Sequence, residues 1–458
     1  MICGFDYGTS NCAMGVKSQD AVQLLAVDGD QCFMPSALYT LGRELICEQV
    51  GLAMTEGPQR DDFIKTRRGP LQLAQRARRE LDLGPASEDT DAVMQVGQQA
   101  FAHYFADPEE GYFVKSPKSY LGASGLRPEF VHFFEDIVTA MMQTVKQRAE
   151  LSLGQTLTHT VIGRPVNFQG VNAEHSNRQA LDILSIAAKR SGFQSVEFLY
   201  EPIAAGLSFE RHLTGNQTVL VVDIGGGTSD CAMVRMGPDH RDRDDRSADF
   251  LGHTGERIGG NDLDITLAGR QLMPLFGMNA SLKSGKPMPT KTFLDAVCTN
   301  DVGALSRFSS LETTLHLQQL QRDCLQPELI SRLLHLQTNK QNQQLVRCAE
   351  NAKIALSDTD STLVALDFVE AGLDTQVSRS GLENAIQRPL QRISELMAEA
   401  VAQAGVQPDQ VFITGGSARS PIIRQAVART LGDIPLLDGD HFGSVVSGLT
   451  EWAQRIYR

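Results

Sequence analysis

No apolar run in the 458-residue sequence approaches the roughly 20 residues that a membrane-spanning helix needs. The first residues, "MICGFDYGTSNCAMGV", lack a basic leader and a small-residue cleavage site, so they are expected to be mature structure and not a signal peptide. Basic residues are in deficit: 42 Lys and Arg stand against 55 Asp and Glu, a net charge of −13. Binding a nucleic-acid backbone needs clustered Lys and Arg, so no nucleic-acid partner is expected. The eight cysteines (3, 12, 32, 47, 231, 298, 324 and 348) form no CxxC pair, which leaves zinc or thioredoxin-like chemistry without support. The ten histidines contain no HExxH and no clustered spacing, so none is assigned to a metal. No GxxxxGK[ST] occurs, which disfavours a P-loop enzyme. Ser417 has no GxSxG context and no evident base, so a hydrolase triad is unsupported.

What is present is a globular composition, 41% hydrophobic and 21% charged. The length points to two or more domains. Scattered thiols, several inside apolar strands, fit a reducing, cytoplasmic setting.

Residues 219–233 read "VLVVDIGGGTSDCAM": an apolar run, an acid, three glycines, Thr228, a second acid, then an apolar run again. Near the start stands a partner, "ICGFDYGTSNCAMGV". Set side by side, Asp6 pairs with Asp223, Gly8 and Thr9 with Gly227 and Thr228, and Asn11 with Asp230, at an offset of 217 to 219 residues. The spacing is too long for a solenoid repeat and indicates two similar lobes, each opening with one hairpin. Residues 1–217 are expected to form the first lobe, with an inserted subdomain at about 35–125, and residues 218–458 the second, with an insert at about 265–355 and a final helix packing back on the first. Helices are expected over 70–81, over 129–151, and in "NRQALDILSIAAKRSG", "LVRCAENAKIALSD" and 378–405, the last with a boundary at Pro389. Residues 237–249, "GPDHRDRDDRSAD", read as a solvated charged turn, and 270–345 carry little periodic signal. Strands alternate with helices in both halves, giving an α/β class with mixed sheets.

Gly225, Gly226 and Gly227 give the turn freedom to bring bare N–H groups against an anion. Thr228 adds a hydroxyl. Asp223 cannot bind phosphate directly, but it can hold the water shell of Mg²⁺. Two such turns could grip a pyrophosphate from opposite sides. "ITGGSARSP" is a third glycine turn, opening a helix with Ser420 and Pro421 at its start. Glu201 ends a strand before a Pro-started helix, where a charge at a helix N-terminus is the plain alternative to a ligand role. Lys115 and Lys118, in "FVKSPKSYLG", could each reach a phosphate as a point charge or stand at the surface.

The ordered set "GFDYGTSN", "VIGRP", "EPIAAGL", "VVDIGGGTSD", "RIGGNDLD", "AENAKIALS" and "FITGGSARSP" resembles the nucleotide-binding domain of the DnaK-type heat-shock chaperones, within the actin-like and sugar-kinase ATPase superfamily. In "FVKSPKSYLGASGL" and "DHFGSVVSGL" the wording is most similar to the YegD-type bacterial branch. The resemblance is weakest at 30–110 and 270–340.

It implies two actin-like (ribonuclease H-like) lobes with a nucleotide cleft between them, holding ATP or ADP with Mg²⁺. By resemblance, Gly8, Thr9, Ser10 and Asn11 match the first phosphate loop, and Gly225, Gly226, Gly227 and Thr228 the second. Asp6, Glu201 and Asp223 match the acids that hold Mg²⁺ through water, and Asp230 an acid near the attacking water. Glu350, Lys353 and Ser357 match the adenosine-contacting helix, and Gly415, Gly416, Ser417 and Arg419 the adenosine motif. Lys118 fits the phosphate-side lysine by its spacing to "LG", with Lys115 as the alternative. Nothing follows Arg458 where such chaperones carry a peptide-binding domain, so peptide clamping is not expected. The resemblance implies a slow ATPase whose nucleotide state sets the lobe angle and the binding of an unidentified protein client or cofactor protein. A small-molecule kinase and a nucleotide-gated assembly protein remain open on the same fold.

Overall fold

The computed structural model describes residues 1–19, 21–86, 93–168, 172–241, 243, 246–439 and 443–457. Parts of two sequence readings, at 242, 244–245 and 440–442, lie outside the described residues. The chain packs as two compact units. One holds Met1–Arg257, Glu395–Ala418 and Ala428–Arg458; the other holds Ile258–Ser394 and Arg419–Val427.

In the first unit, β1 (Ile2–Tyr7), β2 (Asn11–Ser18) and β3 (Ala21–Leu24) form an antiparallel meander, and β4 (Met34–Pro35) pairs with β2. A separate small sheet joins β5 (Ala37–Thr40), β6 (Met94–Val96) and β7 (Tyr112–Lys115). β8 (His159–Arg164) and β9 (Ser195–Tyr200) extend the first sheet in parallel with β1. A second meander follows: β10 (Gln217–Ile224), β11 (Ser229–Met236) and β12 (Phe250–Glu256). The other unit contributes the hairpin β13 (Ser361–Ala365) and β14 (Asp374–Ser378). β15 (Gln410–Thr414) and β16 (Leu436–Asp438) then extend the second sheet in parallel with β10.

The two large sheets therefore run β3-β2-β1-β8-β9 and β12-β11-β10-β15-β16. Strand order and direction are the same, which is the mixed α/β, actin-like architecture expected from the sequence. The registers keep the Asp6–Asp223 pairing and correct the other three, Gly8–Gly227, Thr9–Thr228 and Asn11–Asp230. Asp6 faces Ala13 across the first hairpin, and Asp223 faces Asp230 across the second. Between the last paired residues, Tyr7 with Cys12 and Ile224 with Ser229, both turns hold four residues, so the structural offset is 217 throughout. Gly8 corresponds to Gly225, Thr9 to Gly226, Asn11 to Thr228 and Ala13 to Asp230. The repeated lettering "CAM" is displaced by two residues, one full pleat, which keeps the same faces buried and hides the shift.

Alternation decides how the first sheet is covered. Cys3, Phe5 and Tyr7 belong to the core that includes Ile137, Val138 and Met141 of the helix Pro128–Leu153 and Ile183 and Leu184 of Ala173–Arg190. Gly4 and Gly15 lie under the final helix, Ser444–Ile456; a Cβ at Gly4 would fall 2.3 Å from the Thr450 backbone nitrogen. The long helix covers the sequence-expected 129–151, and the expected 70–81 falls in the helix Arg68–Glu80 except for Leu81, which follows its end.

The second unit holds the short helices Lys291–Val297, Val302–Phe308, Leu311–Asp323 and Pro327–Thr338. Asp301 and Ser310 cap two of them, accepting from the Ala304 N–H at 2.7 Å and the Thr313 N–H at 3.2 Å. The Pro389 boundary moves. The helices Arg379–Ala385 and Gln387–Ala404 part at Ile386, and Pro389 sits in the first turn of the second, where its missing N–H breaks no helical bond. Among the described residues no helix is long and apolar enough to cross a membrane.

Candidate functional site

Both hairpin turns lie in the first unit, and they touch. A Cβ added at Gly226 would lie 1.8 Å from Ser10 Oγ, and one at Gly227 would lie 2.7 Å from Thr9 Cγ2 and 3.2 Å from Ser119 Oγ. Only residues without side chains allow this approach. The Gly225 N–H donates to the Thr228 carbonyl at 3.0 Å and closes the second turn. Among the described residues, the N–H groups of Thr9, Ser10, Gly226 and Gly227 make no hydrogen bond. Backbone donors without partners, gathered on two adjoining turns, are the kind of arrangement that suits an anion.

Acids end the strands that enter these turns. Asp6 sits one residue before the end of β1 and Asp223 one before the end of β10, with Asp230 directly opposite Asp223 on β11. Glu201 opens the helix Glu201–Glu210 straight after β9. Lys118 lies in the turn Pro117–Tyr120 after β7; its ammonium stands 2.5 Å from Glu201 Oε1 and donates to the Gly163 carbonyl at 3.3 Å. Glu201, Asp223 and Asp230 are buried. Lys115 ends β7 opposite Ala37.

Burial, and then repulsion from Glu201, raises Asp6 to about 7, with Lys118 partly opposing. Burial and Glu201 raise Asp230 to about 7, against the Val166 N–H and the Thr228 hydroxyl. Burial, then Glu201, Asp230 and Asp6, push Asp223 well above its usual range. Four carboxyl groups thus face the Lys118 ammonium, with the Arg164 guanidinium acting on Asp230 and Glu201 as well. A hydrated divalent cation would relieve that excess, so the residues fit Mg²⁺. Asp230 Oδ1 accepts from the Val166 N–H at 2.7 Å, while its buried Oδ2 has no hydrogen-bond partner among the described residues. Among the described residues no three His, Cys, Asp or Glu are grouped as direct metal ligands.

Gly415 joins this cluster. Its φ is +88°, and a Cβ there would fall 2.3 Å from the Ile224 carbonyl oxygen and 3.0 Å from Asp223 Oδ1. Gly416 and Ser417 follow in the turn Gly416–Arg419, where the Ala418 N–H donates to the Gly415 carbonyl at 3.0 Å. Arg419 belongs to the second unit, as do Glu350, Lys353 and Ser357. There Lys353 pairs with Asp264 at 2.7 Å and donates to the Gly260 carbonyl at 3.1 Å, and Glu350 pairs with Arg347 at 2.9 Å. The Ser357 N–H donates to the Ile354 carbonyl at 3.0 Å.

Two participants escape a reading of the sequence. Val166 acts through its backbone N–H, which any residue but proline supplies. Gly255 matters because a Cβ there would lie 2.1 Å from Asp230 Oδ1, and a glycine inside a strand carries no lettered motif.

A family model described as Hsp70 protein matches residues 128–269 and 331–438, together 250 of the 458 residues. The chain is 26% identical over 310 residues to the Chaperone protein dnaK3 of Synechococcus elongatus, covering 66% of this chain and 33% of that relative. It is 24% identical over 312 residues to the Chaperone protein DnaK of Thermus thermophilus, covering 66% of this chain and 40% of that relative. The chain thus spans well under half the length of these relatives. With more than half of its residues matched by one model, the chain belongs to the Hsp70 protein family.

Proposed function

We propose that the chain binds ATP and ADP with Mg²⁺ and hydrolyses ATP slowly, its nucleotide state governing the binding of a protein client or cofactor protein. One observation carries the reading: two equivalent turns meet, each with backbone N–H groups that have no partner among the described residues. Those donors would bind phosphate oxygens, with the Thr9 and Thr228 hydroxyls beside them. Asp6, Glu201 and Asp223 would hold Mg²⁺ through its water shell, and the ion would supply charge neutralisation at the phosphates. Lys118 and Glu201 would orient water. Asp230 Oδ2, without a hydrogen-bond partner on a carboxyl raised to about 7, would accept its proton. Gly415, Gly416 and Ser417, beside Asp223, are proposed to meet the adenosine.

The test is thermal unfolding with Mg-ATP and Mg-ADP, on wild type and Asp223→Ala. A ligand that binds only the folded chain raises its melting temperature, by about 2.7 kcal/mol of stabilisation at 100 times Kd. Wild type should shift with both nucleotides and Asp223→Ala should shift less. A wild type indifferent to both removes the reading.

A further inference from the structure

Ser36 lies between β4 and β5 and is 2% exposed. Its N–H donates to the Ser10 carbonyl at 2.8 Å, and its hydroxyl donates to the Gly8 carbonyl at 2.7 Å. One buried residue therefore draws two carbonyls of the first turn to the same side. A trans peptide is planar, and its C=O and N–H point in opposite directions. With the Gly8 carbonyl held toward Ser36, the Thr9 N–H in the same peptide faces away. With the Ser10 carbonyl held, the Asn11 N–H faces away in turn. Ser36 is itself fixed from behind: its carbonyl accepts from the Ser116 N–H at 2.7 Å, continuing the ladder that pairs Ala37 with Lys115. Its hydroxyl also lies 3.3 Å from the Cys12 thiol.

We infer that Ser36 is a positioning residue for the first turn, setting the direction of its amides toward an anionic polyphosphate. The inference rests on the nucleotide reading above. A serine that only filled space would, when altered, disturb every ligand of the site equally. A serine that aims amides at phosphate would matter in proportion to the phosphate present.

The experiment is calorimetric titration of the full chain with Mg-ATP, Mg-ADP and adenosine, for wild type, Ser36→Ala and Ser36→Thr. Ser36→Ala should weaken Mg-ADP and Mg-ATP about fivefold to tenfold, the scale of one lost hydrogen bond, and leave adenosine within about twofold. Ser36→Thr keeps the hydroxyl and should recover most of the loss. An unchanged Mg-ATP affinity in Ser36→Ala, or an equal loss for adenosine and Mg-ADP, overturns the role. If circular dichroism shows Ser36→Ala unfolded, Ser36→Cys decides, because its thiol is a weaker donor of similar size. A selective loss for Mg-ADP then supports the role, and wild-type affinity overturns it. Wild type separates the two claims: no binding of Mg-ATP there overturns the nucleotide reading itself, whereas normal wild-type binding with an unaffected Ser36→Ala overturns only Ser36.

Discussion

The Lys118 ammonium is held 2.5 Å from Glu201 Oε1, and both side chains are almost wholly buried. Around them stand Asp6, Asp223 and Asp230, all of which the Lys118 charge stabilises. Lys118→Met should therefore cost about 3 kcal/mol near neutral pH, because it strands a buried carboxylate among like charges. Glu201→Gln on the same background should restore much of it. Denaturant unfolding of the two single variants and the double variant closes the cycle, and an additive double variant would count against a direct pair.

The raised carboxyls make the ligand-free chain more stable in mild acid. Free carboxylates titrate near 4, while Asp6 and Asp230 are lifted to about 7 and Asp223 also lies above its usual range. Between those limits the folded chain binds protons that the unfolded chain has released, so stability falls as pH rises. Without nucleotide and Mg²⁺, the melting temperature should drop by several degrees from about pH 5.5 to about pH 8. Asp230→Asn should flatten the slope, and circular dichroism melts across that range measure it.

Gly226→Ala should separate the two turns. The new methyl would meet Ser10 Oγ at 1.8 Å, costing about 1–3 kcal/mol as overpacking does. Nucleotide affinity should fall with stability. Adding Ser10→Gly removes the obstacle and should recover stability; if it does not, the loss came from the backbone of the second turn alone.

Gly415 and Gly432 allow a comparison. Both have positive φ, +88° and +76°, but a Cβ at Gly432 meets open space while one at Gly415 meets the Ile224 carbonyl oxygen at 2.3 Å. Gly432→Ala should cost about 1 kcal/mol, the left-handed penalty alone. Gly415→Ala adds a clash with backbone and should cost about 3 kcal/mol or more. Chemical denaturation of the two variants gives the difference directly.

The hairpins were legible in the sequence because each writes its chemistry in side chains: an acid at a strand end, then glycine and hydroxyl residues. Their register was not, since a two-residue slip preserves which residues face the core. Lys115 and Lys118 look alike as letters. They differ in place, because Lys115 still belongs to a strand and Lys118 falls in the turn that reaches Glu201. The helices between 291 and 338 gave little signal for another reason. Two of them have only seven residues, and in Leu311–Asp323 only Leu317 and Leu320 are buried while Leu311 and Leu315 stay exposed, so no long apolar stripe develops there. Ser36 was invisible because its work is done with one N–H and one hydroxyl against backbone carbonyls.

The touching turns have a consequence for symmetry. By the ladders, Thr9 is the counterpart of Gly226 and Ser10 of Gly227; in space, Thr9 meets Gly227 and Ser10 meets Gly226. Each residue thus abuts its neighbour's counterpart, the reciprocal contact of a local dyad. Two identical copies could not mate there: a pair of Thr-Ser tips would collide, and a pair of Gly-Gly tips would bring no hydroxyls. The repeated architecture closes on its own axis only because one half carries the tenons and the other was pared down to mortises.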